Sequence, residues 1–169
     1  LTFYKVYANQ SWFQPLSKKF TLQLKAGVSY GDGYGDSESL PFYENFYAGG
    51  IGSVRGFEPN SLGEDYDFVL EGSDRPKGGS SKAAGTAGLV VPVPIIEDSS
   101  NARMSLFYDA GNAFGQIEDA ELSELRSSVG LGVSWIPPVG PLTFSLARPI
   151  TSFKEDDEQV FQFTLGSGF

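Results

Sequence analysis

One pattern limits the fold of this 169-residue chain more than any other: runs of about ten residues in which apolar and polar side chains alternate. Phe20, Leu22, Leu24, Ala26, Val28 and Tyr30 stand against Thr21, Gln23, Lys25, Gly27 and Ser29. Met104, Leu106, Tyr108 and Ala110 oppose Arg103, Ser105, Phe107 and Asp109. Val129, Leu131, Val133 and Trp135 oppose Ser128, Gly130, Gly132 and Ser134. Leu142, Phe144 and Leu146 oppose Thr143, Ser145 and Ala147, and near the end Phe161, Phe163, Leu165 and Phe169 oppose Gln162, Thr164, Gly166 and Gly168. Successive side chains of a strand point to opposite faces, so each run reads as a strand with one apolar and one polar face. Two less regular runs, Phe3–Phe13 and Gly85–Ile95, bring the expected number to seven. The 21 glycines and the 2 Trp, 8 Tyr and 14 Phe suit strands and turns better than helices.

Composition removes whole classes of chemistry. With no Cys and no His, thiol and imidazole catalysis, Cys/His zinc sites and disulfides are excluded. A net charge of 12 − 21 = −9 argues against a nucleic-acid partner. The longest mostly apolar run, Leu89 to Ile96, carries Pro92 and Pro94 and falls far short of the ~20 residues of a spanning helix. Leu1-Thr2-Phe3-Tyr4 opens inside a strand pattern without a basic leader or initiator Met, so the chain reads as a fragment of a longer protein.

Alternation is shared by two architectures. A soluble sandwich turns its apolar face to a core, whereas an outer-membrane barrel turns it to lipid and lines a lumen with the polar face. Three features favour the membrane. Connections alternate between compact (14–19, 96–101, 137–141) and long (31–84, 115–125, 151–158), as the two rims of an outer-membrane barrel require. Aromatics gather near strand ends at Tyr4, Trp12, Phe13, Tyr30, Trp135, Phe153, Phe161 and Phe169. The final alternating run ends on Phe169, in the manner of a barrel sorting signal. Seven strands cannot close a barrel, because open edges leave unpaired backbone groups in lipid. Their partners are expected upstream in the parent protein or on a second copy of the fragment.

The 31–84 connection is too long to be an ordinary turn and too rich in aromatics to be an exposed one. It holds Pro41-Phe42-Tyr43-Glu44-Asn45-Phe46-Tyr47-Ala48-Gly49-Gly50, then Val54-Arg55-Gly56-Phe57. Part of it is expected to pack inside the lumen, where Arg55 needs an anionic partner. Gly56 permits a close backbone approach that a Cβ would block.

Pro41–Phe57 resembles the sixth loop of the BamA family, the central subunits of the outer-membrane β-barrel assembly machine, and Val54–Phe57 matches that family's loop-tip motif. Further matches follow in order at Phe107-Tyr108-Asp109-Ala110-Gly111, Gly140-Pro141-Leu142-Thr143-Phe144-Ser145 and Phe161-Gln162-Phe163-Thr164-Leu165-Gly166. The resemblance implies an all-β fold: residues 1–169 would be the C-terminal part of a transmembrane antiparallel β-barrel, the last seven strands of a 16-stranded barrel with a lumen-inserted loop at about 31–84. It implies that Val54, Arg55, Gly56 and Phe57 anchor the loop, with Asp109 the acid on the lumen wall. Relatives commonly carry a second acid where this chain reads Ala87-Gly88-Leu89-Val90-Val91, which leaves Asp109 as the main partner, aided by Glu58 or another loop carboxylate.

The implied function is assembly and insertion of β-barrel proteins into the outer membrane by strand addition at a weak seam. The seam strand and sorting signal would comprise Phe161, Phe163, Leu165, Gly166, Gly168 and Phe169, within about Val160–Phe169. Implied partners are outer-membrane lipid and lipopolysaccharide, unfolded β-barrel clients, and assembly-machine lipoproteins reached through an upstream region. Self-association of the fragment is the other way to close the sheet. The rival reading is polypeptide export through a related two-partner secretion or autotransporter-assembly barrel; an inert porin is a third.

No catalytic residue, metal site or cofactor is expected. Gly31-Asp32-Gly33-Tyr34-Gly35-Asp36 lacks the nonapeptide period of calcium repeats and reads as a strand-exit turn. Ala48-Gly49-Gly50-Ile51-Gly52 has no following helix or lysine to hold phosphate. Glu118/Asp119/Glu121/Glu124 and Glu155/Asp156/Asp157/Glu158 read as solvated loop charge, with divalent-bridged lipopolysaccharide contact the sharper alternative.

Overall fold

The computed structural model describes residues 1–65, 76–93, 101–138 and 140–166. Its strands are β1 (Phe3–Pro15), β2 (Thr21–Gly33), β3 (Gly56–Phe57), β4 (Glu64–Asp65), β5 (Pro76–Gly78), β6 (Ser81–Pro92), β7 (Ala102–Phe114), β8 (Arg126–Trp135), β9 (Leu142–Thr151), β10 (Glu158–Gln159) and β11 (Phe161–Leu165). Seven of them form one antiparallel sheet in the order β1-β2-β6-β7-β8-β9-β11. Once the short pieces are set aside, each strand pairs with the next in sequence. The sheet is therefore a meander, with β1 and β11 at its edges.

Each of the seven expected runs has a strand of this sheet at its described residues, and the strands extend further toward the long connections. Gly31-Asp32-Gly33, read as a strand-exit turn, stays in β2 with Phe3 opposite Gly33, and the turn comes at Gly35, φ +67°. β6 starts at Ser81 instead of Gly85, so the long connection spans 34–80. Apolar alternation marks only where a strand meets lipid, whereas backbone pairing continues into polar sequence. At its other end β6 stops at Pro92, which has no N–H to carry the ladder on; Ile95 lies outside the described residues.

Burial is inverted relative to a soluble sandwich, and this separates the two architectures. Asp109 and Ser128 on the polar face are fully buried, and Thr143, Ser145 and Gln162 nearly so. On the apolar face Leu131, Leu146 and Phe163 are 43%, 54% and 55% exposed, amid Val28, Leu106, Val129, Trp135, Phe161 and Leu165. A broad apolar surface turned outward over a polar interior is the arrangement of a membrane barrel wall. Among the described residues no helix is long and apolar enough to cross a membrane.

The polar face is covered by the 34–80 connection. Ala48, Val54, Phe57 and Leu62 of this loop form a buried cluster with Ala113 of β7. Phe46 is buried edge-on against Tyr7, with the Lys5 ammonium 4.5 Å from its ring centre. Lys5 Nζ also donates to the Glu44 carbonyl at 2.7 Å. Phe42 and Tyr43 of the same aromatic run stay exposed, so only part of it packs inward.

Candidate functional site at the loop tip

Strand register builds the wall of the site. Lys25 of β2, Thr86 of β6, Asp109 of β7 and Ser128 of β8 are successive neighbours across the inner face. The loop brings Arg55 down onto this row. Arg55 Nε donates to Asp109 Oδ2 at 2.7 Å and Nη2 donates to Oδ1 at 2.8 Å, a bidentate fork. The Arg55 backbone N–H adds a third bond to Oδ2 at 3.1 Å, and Thr86 Oγ1 donates to Oδ1 at 2.8 Å. A carboxylate has about four lone-pair sites, and all of them are used here. The four bonds hold Asp109 and the loop tip in one fixed arrangement.

The guanidinium also lies over an aromatic ring, with Arg55 Cζ 3.2 Å from the Phe107 ring centre. Phe107 shares the inner face with Asp109, an apolar side chain on an otherwise polar face. Glycines on β8 make the slot. A Cβ at Gly130 would lie 2.7 Å from Phe107 Cζ, and one at Gly132 would lie 3.4 Å from Arg55 Nη1. At Gly130 a side chain would also run into the Leu146 carbonyl, so that position is closed to anything larger than glycine.

Gly56 turns the chain beside this fork. Its φ of +93° is costly for any residue with a side chain, and an added Cβ would sit 3.3 Å from Ala147 Cβ. The small wall residues Ser128 and Ala147 thus let the tip backbone lie close to β8 and β9. Past this turn Gly56–Phe57 form β3 and pair with β10, Phe57 opposite Glu158 and Gly56 opposite Gln159. The Glu58 N–H donates to the Asp157 carbonyl at 2.8 Å. From β11, Gln162 Nε2 donates to the Phe57 carbonyl at 2.6 Å.

Each residue singled out from sequence can now be placed. Val54 and Phe57 are fully buried and Arg55 lies on Asp109. Glu58 is exposed and, among the described residues, joins the site through its backbone; the further bond at the fork is the Thr86 hydroxyl donating to Asp109. The stretch Ala87–Val91 supplies Gly88 opposite Phe107, not a partner for Arg55. Phe161, Phe163 and Leu165 face outward on β11. Gly166 follows that strand instead of lying within it, with φ +106°; Gly168 and Phe169 lie outside the described residues.

One acidic set also departs from expectation. Asp156 is almost completely buried and paired with Arg126 at 3.0 Å, and the Arg126 Cζ lies 4.5 Å from the Phe153 ring centre. Sequence reading missed this pair, along with Phe107, Thr86 and Gln162. An aromatic or a glutamine on a polar strand face is the signal that marks two of these three wall residues, Phe107 and Gln162.

Comparison with known proteins decides the family. A model of the Omp85 superfamily domain matches residues 1–169. The chain belongs to the Omp85 superfamily. Among its Omp85 relatives is the outer membrane protein assembly factor BamA of Neisseria meningitidis serogroup B, 41% identical over 194 aligned residues that take in 100% of this chain and 24% of that protein. BamA of Nitratidesulfovibrio vulgaris is 28% identical over 87% of this chain and 18% of its own length. The crystal structure of BamA from Haemophilus ducreyi lacking POTRA domains 1–3 superposes with a TM-score of 0.88 at 32% identity, over 99% of this chain and 35% of that one. The chain thus spans about a quarter of the length of the Neisseria relative, and forms part of a multi-pass β-barrel of the bacterial outer membrane.

Proposed function

We propose that this chain is the C-terminal, seam-bearing part of a barrel that assembles and inserts β-barrel proteins into the outer membrane. The observation that carries the proposal is the 41% identity over the whole chain to a protein named as an outer-membrane assembly factor. The fork at Arg55 gives the likeness a mechanism. It fixes the loop against β7 while β11, an edge strand of only five residues, pairs with β9 alone among the described strands. A client strand adds along the free edge of β11 by β-augmentation, exchanging backbone hydrogen bonds one for one, so no covalent chemistry or nucleotide is required.

In this reading the remaining neighbours of β1 and β11 are strands of the longer protein rather than of a second copy. The outward apolar face contacts outer-membrane lipid and lipopolysaccharide. Unfolded barrel precursors are the clients, and assembly-machine lipoproteins bind outside residues 1–169. No catalytic residue, metal or cofactor takes part.

The test is depletion of the full-length protein in its own cells, with quantification of several unrelated outer-membrane barrels and of one exported polypeptide. Assembly predicts that all the barrels fall together while their unfolded precursors accumulate. Loss of the exported polypeptide alone, with barrels steady, would make this an export barrel.

A further inference from the structure

Gln162 is the one side chain through which the edge strand β11 holds the loop tip, among the hydrogen bonds of the described residues. It points to the inner face between Phe161 and Phe163, which point outward, and it is 4% exposed. Its amide binds the tip backbone from both ends: Nε2 donates to the Phe57 carbonyl at 2.6 Å, and Oε1 accepts from the Gly56 N–H at 3.4 Å. Nε2 also reaches Gln159 Oε1 at 3.3 Å, on the β10 residue paired with Gly56. The tip is thereby held on two sides, by Asp109 of β7 through Arg55 and by β11 through Gln162.

From this geometry we propose that Gln162 is a positioning latch that couples the anchored loop tip to the seam strand. The proposal rests on the reading of β11 as the seam. The chemistry suits glutamine in particular. It is neutral, so it can be buried without a counter-charge, and it offers a donor and an acceptor at a reach that matches a backbone N–H and C=O. A glutamate would set a carboxylate against the Phe57 carbonyl, and a methionine of similar shape would offer the Phe57 carbonyl no donor. Five residues of β11 pair with β9, and the Gln162 bonds are a separate attachment of that strand, to the loop tip on its inner side. Any motion that swings β11 away from the lumen must first break the Gln162 bonds. Release of Arg55 from Asp109 removes the support on which the latch closes.

The experiment uses the full-length protein in nanodiscs and reads amide hydrogen exchange in a peptide covering residues 161–165. Gln162→Met should raise exchange there by about tenfold while the barrel stays folded. Asp109→Asn should raise exchange at the tip and, through the latch, at 161–165. In the double variant Asp109→Asn should add nothing at 161–165 beyond Gln162→Met alone, a non-additivity that a merely structural side chain would not produce. The proposal is overturned if Gln162→Met leaves 161–165 unchanged, or if Asp109→Asn acts there equally in both backgrounds. Should the methionine variant not fold, Gln162→Asn, which keeps the amide but falls short by one methylene, is put through the same comparison with the same two outcomes. Normal barrel assembly in cells by a variant whose β11 exchanges fast would leave the latch standing and instead remove the assigned role of the seam.

Discussion

Two arginines in this chain have nearly the same surroundings and very different consequences. Arg55 is forked onto Asp109 and stacked on Phe107; Arg126 is paired with Asp156 and stacked on Phe153. Both pairs are largely buried. The first joins residues 54 apart in sequence and ties a loop to the middle of a strand on another part of the sheet. The second joins the start of β8 to the connection after β9, two neighbouring pieces at one rim. Arg126 also keeps a second acceptor, the Glu124 carbonyl at 3.1 Å, whereas among the described residues the hydrogen bonds of Arg55 all end on Asp109. A similar set of side chains is thus a local brace in one place and the fixing point of a whole loop in the other.

Removing each carboxylate is the most forceful way to break the comparison. Asp109→Ala leaves a buried guanidinium without a counter-charge and should cost about 3–5 kcal/mol in urea unfolding of the full-length barrel. Asp156→Ala should cost less, about 1–3 kcal/mol, because Arg126 retains a carbonyl partner. Equal losses would show that the two arginines are equivalent. Gly56→Ala forces a side chain into φ +93° and against Ala147, and should cost about 1–3 kcal/mol while leaving the Arg126 brace intact. Exchanging the stacking rings sharpens the contrast: Phe107→Leu should cost about 1–2 kcal/mol and Phe153→Leu about half that, following ring distances of 3.2 and 4.5 Å. Thr86→Val is expected to cost about 1 kcal/mol, as small as the Phe153 exchange, since Asp109 keeps all three bonds from Arg55.

What could be read in the sequence divides along the same line. Period-2 alternation displayed the seven strands, and its parity put Asp109 and Phe107 on one face, because that information is local and repeats along each strand. Arg55 stood out because a cation inside an aromatic loop has few physically acceptable partners. The strand ends were misplaced at Gly31–Gly33 and Ser81 because pairing outlasts the apolar pattern there. Asp156 looked like one solvated acid among four, since nothing in Glu155-Asp156-Asp157-Glu158 tells which carboxylate the chain turns inward. The glycines Gly130 and Gly132 acquire their meaning only from the neighbouring Phe107 and the loop-borne Arg55, which no single strand encodes.

The most direct test of the lock is charge reversal read by amide exchange at residues 54–57 of the full-length protein. Arg55→Asp and Asp109→Arg should each free the tip and speed its exchange by about a hundredfold, equivalent to losing about 2.7 kcal/mol of local protection. The double reversal should recover part of that protection, though not all, because the Arg55 backbone N–H and the Phe107 stack serve only the native arrangement. Tip amides that stay protected in both single variants, or exchange as fast in the double as in either single, would contradict the account.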